Sequence, residues 1–226
     1  MITTAIALVC CCLAGPLNPR GTGGEKIFTP AKNFRLNYHA SVQSGRKDPV
    51  IKVVFVSENR PEDPSSDTLF YHQRHIAPGD FLGRSSSSGR SEAVSYTSFA
   101  FDGSTRQYRD TLEIRLVLQV FWVKSSSWSR TMPPSRHVLE HEQLHFDITR
   151  LVAERFRHKV LSMPLTPDDH DSRIQYEYLE SFREMNRMQE EYDIAVNRGM
   201  NVIAQQEWLR RIRNELRGFG VEPPTD

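Results

Sequence analysis

The hydrophobic pattern of the chain changes at Trp128, from short apolar runs to long periodic stretches. Before that point, apolar and β-branched runs cover residues 51–56, 93–101 and 112–123, with turn-rich stretches between them. Short apolar runs bounded by turn signals are typical of β-strands. Residues 26–128 therefore predict a small antiparallel β-sheet.

A hairpin is expected between the last two of these runs. Asp102-Gly103 lies between them, and this dipeptide favours a tight turn between antiparallel strands. The following strand alternates in part between apolar and polar residues, and successive side chains of a strand point to opposite faces. We expect its apolar face to point into the core. That face consists of Leu112, Ile114, Leu116 and Leu118.

A first helical region follows Trp128. Pro133, Pro134 and Ser135 form a helix start signal, and apolar residues then recur at helical spacing until Pro164. The apolar positions in this region include Leu144, Ile148, Leu151, Val152 and Phe156. The pattern predicts one long helix between Ser135 and Pro164.

A second helical region starts at residues 166–169, where Thr-Pro-Asp-Asp combines a capping hydroxyl, a proline and acidic residues. Its helical periodicity continues to Gly218. A single helix of this length would span roughly 75 Å, which is too long for a domain of this size. We expect the helix to break at Gly199.

The composition is that of one ordinary globular domain. The chain has 226 residues, of which 38% are hydrophobic and 25% are charged. Lys and Arg number 29 against 28 for Asp and Glu, so the formal net charge is +1. Such a balance creates no strong field that would attract nucleic acid or anionic lipid. We expect no nucleic-acid partner.

The first twenty residues have the character of an export signal. Residues 2–14 are uncharged and mostly apolar, and Gly15 and Pro16 follow them. The run is too short to cross a membrane, which takes about 20 apolar residues. We expect residues 1–20 to be a signal peptide or N-terminal anchor. The mature chain is then expected to be secreted or periplasmic, without a membrane span.

The cysteines all belong to this segment. Because Cys10, Cys11 and Cys12 are the only cysteines, a processed chain would form no disulfide. A lipid anchor on one of them is the minority alternative, since bulky Val9 stands where a lipoprotein signal favours a small residue.

The first helical region contains the sequence His141-Glu142-Gln143-Leu144-His145. Residues four apart share a helix face, so both imidazoles can point at one metal ion. Neutral imidazoles with an open coordination position favour zinc. Glu142 can hold a water and remove its proton, the general-base role in metal-assisted hydrolysis. The alternative is a chance spacing, expected in on the order of one such chain in a hundred.

Two neighbouring polar residues are given other roles. His137 lies one turn before His141, and one ion cannot bind three histidines spread along about 12 Å of helix. We expect His137 to cap the helix or to face solvent. Asp147 points away from the metal face, so we expect a structural hydrogen bond or ion pair.

Further segments extend the pattern around the histidine motif. They are Phe121, Ser127-Trp128, residues 139–148, Tyr192-Asp193 and Gly199-Met200-Asn201. Together they resemble an uncharacterised bacterial family described as secreted zinc-dependent proteases of the metallopeptidase clan. The resemblance covers residues 93–216 and is strongest around the histidines. It implies an α+β fold, in which a small antiparallel sheet precedes a zincin-like helical region that carries His-Glu-x-x-His.

The resemblance also implies a domain plan and roles for residues. A single metallopeptidase-like domain is expected over residues 21–226, β-rich over 26–128 and helical over 134–218. His141 and His145 are expected to bind Zn²⁺, and Glu142 to act as general base on a peptide or protein substrate.

The third ligand departs from the family pattern. In that family Tyr-Asp is followed by His-Gly, and this histidine is the natural third ligand. The corresponding position here is Arg198, followed by Gly199. Arginine stays protonated and cannot donate a lone pair to zinc. Asp193 is the best replacement, because a carboxylate is a competent zinc ligand, but a role orienting a ligand histidine or as a surface acid is equally open.

Two other classes of function compete with a zinc peptidase. Arg198 favours a catalytically inactive, protease-like binding protein of the cell envelope. A structural helical protein is the third interpretation, although apolar stripes at helical spacing are more often core than partner sites. The stripe in question is Phe182, Met185, Met188 and Tyr192.

Overall fold

The computed structural model of the protein describes residues 48–57, 60–85, 91–197 and 199–222. The expected signal peptide, Cys10, Cys11, Cys12 and Arg198 lie outside these residues. The predictions made for them therefore remain predictions.

In the described part of the chain, six strands and three α-helices make up a mixed α+β fold. The strands are β1 (Val50–Ser57), β2 (Thr68–Phe70), β3 (Ala93–Val94), β4 (Thr97–Tyr108), β5 (Thr111–Val123) and β6 (Trp128–Ser129). Short 3-10 turns lie at Pro78–Asp80 and Lys124–Ser126. The helices are α1 (Arg136–Ser162), α2 (His170–Ala195) and α3 (Val202–Gly218).

The main sheet is built around β5 and is mixed, so the prediction of a purely antiparallel sheet was wrong. β4 and β2 run antiparallel to β5, but β1 runs parallel to it, with Val50 opposite Thr111. β1 and β2 follow one another along the edge of β5 that β4 does not occupy. β3 and β6 form a separate antiparallel pair. A parallel pair needs a long crossover, which a strand's own apolar pattern does not reveal.

The hairpin turn is not at Asp102-Gly103, as the sequence suggested. These two residues lie inside β4, opposite Val117 and Leu116, and the chain turns at Arg109-Asp110, where Arg109 has a φ of 52°. A Cβ at position 103 would lie 3.0 Å from the Leu116 side chain. Glycine at this position therefore serves the close packing of two strands, not a turn.

The alternation in β5 was predicted correctly. The expected inward residues are 2–8% exposed, and the pattern continues through Val120 and Trp122. These side chains join the helices in one hydrophobic core. The residues predicted to face that core are Leu112, Ile114, Leu116 and Leu118.

The helix limits follow the sequence signals. Ser135 caps α1, its side chain accepting a hydrogen bond from the Val138 N–H at 3.3 Å, and α1 ends before Pro164. The expected break between α2 and α3 is confirmed, since Gly199 lies in the intervening turn with a φ of +87°. Glycine adopts this left-handed conformation without the steric penalty of other residues. α3 ends at Gly218, as predicted.

Helix α1 lies at the centre of the fold. It contacts β1, β4 and β5 of the sheet as well as α2 and α3. Residues 141–149 are all buried, and this stretch is longer than two helical turns. Its polar side chains are therefore enclosed on every face and need partners or a function. Over the described residues, no helix combines the length and apolar character that a membrane crossing requires.

Candidate metal centre

The helical spacing of His141 and His145 brings the two rings together inside the protein. Their centroids are 5.0 Å apart, and the rings meet edge to face at 83°. The side chains are 11% and 8% exposed. Buried imidazoles at this separation have lost most of their contact with water, so their ring nitrogens must find other partners.

Asp193 of α2 supplies the partner for both rings. Its Oδ1 atom lies 3.3 Å from Nε2 of His141 and 3.1 Å from Nε2 of His145. The donor atoms of the three residues all lie within 4.8 Å of one another. The structure therefore brings together the two histidines of the motif and the aspartate singled out from the second helical region.

The three side chains offer donor atoms that could hold a metal ion. Zinc bonds of about 2.0–2.1 Å in tetrahedral geometry separate neighbouring donors by roughly 3.3 Å. The distances of 3.1 and 3.3 Å from Asp193 to the imidazoles match that value. Two nitrogens and one carboxylate oxygen also form a donor set that leaves one tetrahedral position open. His141, His145 and Asp193 could thus hold a metal ion with only small movements.

The charges of the three groups are coupled. Burial alone would raise the pKa of Asp193, but the contacts with His141 and His145 outweigh it and hold this pKa well below its usual value. Burial would likewise lower the pKa of His145, but the hydrogen bond with Asp193 and the negative charges of Asp193 and Glu142 raise it overall. The site is a region of negative potential that favours a cation.

Glu142 is the second acidic group at the centre. It is 3% exposed, and its negative charge raises the pKa values of His145 and Tyr192. Among the described residues its side chain makes no hydrogen bond or ion pair. Buried carboxylates that serve structure are normally held by such bonds. Structural bonding therefore does not explain why an acid is buried at this position.

Tyr192 is a site residue that sequence reasoning assigned only to the apolar stripe. Its hydroxyl lies 2.9 Å from Nδ1 of His141 and 3.5 Å from the His141 carbonyl oxygen. Its ring stacks on His141 at 4.9 Å and meets the edge of His145 at 5.0 Å. Burial, followed by the charges of Glu142 and Asp193, raises the pKa of Tyr192, so the phenol stays protonated. The one sequence feature that could have indicated a role at the site is the position of Tyr192 directly before Asp193.

His137 is neither a helix cap nor solvent-exposed, so that prediction was wrong. The cap is Ser135, and the His137 ring is half-buried, with Nε2 hydrogen-bonded to the carbonyl of Gly199 and Nδ1 3.4 Å from Nε2 of Gln205. A carbonyl only accepts, so Nε2 of His137 carries the proton. His137 ties α1 to the turn before α3. It is not in the donor group formed by the described residues.

Asp147 has the structural role that the sequence predicted. Its Oδ1 accepts hydrogen bonds from the Tyr71 hydroxyl at 3.1 Å and from the Gln143 side chain at 2.8 Å. The Gln143 carbonyl oxygen accepts from the Ile76 N–H at 3.0 Å. Burial raises the pKa of Asp147. These bonds fasten the loop after β2 to the same helical turns that carry the histidines.

A second group of polar residues lies beneath His145. Thr149 donates to the His145 carbonyl at 3.0 Å and accepts from the Gln189 amide at 3.1 Å. Gln189 also contributes to the raised pKa of His145, but no hydrogen bond of ordinary geometry reaches Nδ1 of His145 within the described part of the chain. The two histidines therefore differ, since among the described residues only His141 has a hydrogen-bond partner of ordinary geometry at Nδ1.

Arg198 lies outside the described residues, but the chain on either side of it is described. Asn197 has a φ of 48°, and a Cβ at Gly199 would lie 3.8 Å from the His141 ring. The chain at Gly199 therefore lies directly against the candidate site.

Comparison with protein-family models, with curated proteins and with solved structures gave no match.

Proposed function

We propose that this protein is a zinc-dependent metallopeptidase, with α1 as the helix of a zincin-like domain. The observation that carries the proposal is the convergence of His141, His145 and Asp193 at the separations of zinc ligands. The resemblance of the motif region to secreted zinc-dependent proteases supports the same function. A peptide or protein is then the expected substrate.

The residues of the site have separate roles in peptide hydrolysis. His141, His145 and Asp193 would hold the metal, and zinc, when bound, would supply Lewis acidity that makes a water molecule a stronger acid and polarises a carbonyl. Glu142 accepts the proton of the attacking water and afterwards delivers it to the leaving amine. The Glu142 side chain makes no structural hydrogen bond or ion pair among the described residues. Its carboxylate is therefore available for this exchange of protons.

The site opens towards solvent on the side of Asp193. The Asp193 side chain is 42% exposed, whereas the side chains of His141 and His145 are 11% and 8% exposed. A substrate carbonyl would therefore approach past α2 and not through the sheet. Arg198 precedes Gly199 in the sequence and could bind a substrate carboxylate or a developing oxyanion.

A catalytically inactive, protease-like binding protein of the cell envelope is the second candidate. The specific observation in its favour is Arg198 at the position where the family resemblance places a third histidine ligand. In such a protein the metal, if retained, would stabilise the fold or a binding surface without turnover.

Metal analysis tests the site itself. Protein purified without a histidine tag is expected to contain close to one equivalent of zinc, measured by mass spectrometry of the metal. The double variant His141→Ala, His145→Ala should lose it. His158→Ala is the matched control, because His158 lies on the same helix but packs against Phe219 at a ring separation of 4.7 Å. Equal zinc contents in the double variant and wild type would refute the site.

Turnover separates the two candidates. Glu142→Gln should retain zinc but lose activity on a peptide library by about 10²–10⁴-fold, the usual contribution of a general base. If zinc-loaded wild-type protein cleaves none of the library, the binding-protein function is favoured instead.

A further inference from the structure

We infer that Tyr192 is a positioning residue that controls the tautomer of His141, donating a hydrogen bond in the metal-free protein and accepting one when a metal is bound. The inference rests on the proposed metal site. It assigns to Tyr192 a role that its membership of an apolar helical stripe does not indicate.

The metal-free state follows from the contacts of the His141 ring. Its Nε2 atom faces the Asp193 carboxylate at 3.3 Å, and an ionised carboxylate can only accept. The proton of a neutral ring therefore belongs on Nε2. Nδ1 then has a free lone pair, and the Tyr192 hydroxyl, 2.9 Å away, is positioned to donate to it. In this state Tyr192 and Asp193 together select the Nε2–H tautomer.

Metal binding requires the opposite tautomer. A metal ligand at Nε2 must offer a lone pair there, so the ring proton moves to Nδ1 and needs an acceptor. The Tyr192 oxygen can accept it without moving, because a hydroxyl both donates and accepts. The phenol proton can then turn towards the His141 carbonyl oxygen at 3.5 Å. Tyr192 thus has a partner in both states, through rotation about a single bond.

His145 lacks this arrangement. Its Nδ1 is buried, and no partner is within hydrogen-bond geometry among the described residues. Orientation of the His145 ring depends instead on packing, including the edge-to-face contact with Tyr192 at 5.0 Å. The same tyrosine therefore orients one ligand through its hydroxyl and the other through its ring. Removal of the hydroxyl alone should affect His141 and leave the packing intact.

The test compares two tyrosine-to-phenylalanine substitutions. Tyr192→Phe removes the hydroxyl at the site and keeps the ring. Tyr178→Phe is the matched control, because the Tyr178 hydroxyl donates to the Phe99 carbonyl at 3.0 Å and its ring packs in the same core, at 5.3 Å from that of Phe99. Zinc affinity is measured by competition with a chelator. We expect Tyr192→Phe to bind zinc about 10–100-fold more weakly and Tyr178→Phe to be unchanged.

A spectroscopic measurement addresses the tautomer directly. Long-range ¹H–¹⁵N NMR spectra of the imidazoles distinguish a proton on Nε2 from one on Nδ1. Metal-free wild type should contain His141 as the Nε2–H tautomer, zinc-loaded wild type as Nδ1–H, and metal-free Tyr192→Phe as a mixture. A purely structural role for Tyr192 would not produce these changes.

The outcomes distinguish this inference from the proposed function. Zinc affinity of Tyr192→Phe within about twofold of wild type, or a metal-free wild type with the proton on Nδ1 of His141, overturns the role of Tyr192. If wild type binds no zinc, the proposed function fails, while the metal-free spectra still decide whether Tyr192 donates to His141. The wild-type spectra need no variant, so the test does not depend on the folding of Tyr192→Phe.

Discussion

The two halves of helix α1 are both buried, but they are buried with opposite chemistry. In residues 151–160 the enclosed side chains are mostly apolar, and Phe156 at 0% exposure is the largest of them. In residues 141–149 most of the enclosed side chains are polar or ionisable. Burial of apolar groups stabilises a fold, whereas burial of polar groups opposes folding unless they are satisfied. Burial of residues 141–149 should therefore stabilise the fold less than burial of residues 151–160.

Two buried glutamates make the contrast specific. Glu154, in the second half, is 2% exposed. Its carboxylate oxygens lie 2.5 Å from a guanidinium nitrogen of Arg150 and 2.6 Å from Nε of Arg157. Glu142, in the first half, is 3% exposed and has no ion pair among the described residues. The same residue type, equally buried on one helix, is neutralised at one position and available for proton transfer at the other. Lack of a structural partner among the described residues, rather than burial, distinguishes the candidate general base.

The largest effect on stability is expected in the apolar half. Phe156 packs against Phe101 at 5.5 Å and Tyr178 at 6.0 Å between ring centroids. Phe156→Ala should lower the free energy of unfolding by about 3–5 kcal/mol, because it leaves a cavity in this cluster. Urea denaturation measures the change. Leu161→Ala, at a position 47% exposed on the same helix, is the control and should change stability little. Equal losses in the two variants would contradict the assigned packing.

A comparable loss is expected in metal affinity when Asp193 is removed. Asp193→Ala should weaken zinc binding by more than about 100-fold, or roughly 2.7 kcal/mol, since a ligand contributes more than a residue that only orients one. Glu191→Ala is the control, as Glu191 is exposed on the same helix. Isothermal titration measures both.

A second variant, Arg198→His, helps to decide whether Asp193 is a metal ligand. Arg198→His restores the histidine that the family resemblance would place there. If Asp193→Ala leaves zinc affinity unchanged while Arg198→His raises it strongly, Asp193 is not a ligand. The native site would then be incomplete, and the binding-protein function would be favoured.

The two glutamates should respond in opposite ways to the same substitution. Glu154→Gln removes the charge held by two arginines and should lower the free energy of unfolding by about 1–3 kcal/mol, reduced from a fully buried pair because the arginine side chains are 23% and 31% exposed. Glu142→Gln removes a buried charge that has no ion pair among the described residues, so stability should stay equal or rise while turnover is lost. Thermal unfolding and peptide hydrolysis, measured on both variants, would show the reversal. A stability loss in Glu142→Gln as large as that in Glu154→Gln would mean that Glu142 is structural.

The smallest effect is expected for the ion pairs that fasten α1 to its neighbours. Arg155 donates to Glu184 of α2 at 2.5 Å and to Glu215 of α3. Its side chain is 25% exposed, so Arg155→Met should cost only about 1 kcal/mol. Burial would raise the pKa of Glu184, but Arg155 and Lys159 lower it overall from 4.5.

This lowered pKa predicts how the effect of Arg155→Met depends on pH. A carboxyl group whose pKa is lower in the folded state stabilises the fold above its unfolded pKa and loses that contribution as pH falls through the folded value. The stability difference between wild type and Arg155→Met should therefore be complete above pH 4.5 and shrink below it. Denaturation at several pH values measures the difference. A difference that grows on acidification would exclude the assigned ion pair.

Local signals in the sequence were enough for the helices. The ends of the helices depend on capping, on the missing proline N–H and on glycine's backbone freedom. The residues that mark these ends are Ser135, Pro164, Gly199 and Gly218. The inward face of β5 was also predictable, because alternation of side chains is a property of one strand. Asp102-Gly103 failed as a turn signal because pairing along the whole of β4 and β5 outweighs the preference of a dipeptide.

The sequence by itself determined that His141 and His145 share a helix face with Glu142 beside them, because helical periodicity is local. Only the tertiary structure decided that Asp193 lies within reach of both rings, since its distance to them depends on how α2 packs on α1. The same packing decided that the Tyr192 hydroxyl meets Nδ1 of His141 and that Glu142 is buried without an ion pair among the described residues. Contacts between residues about fifty positions apart depend on the geometry of whole elements, which the pattern along a single helix does not contain.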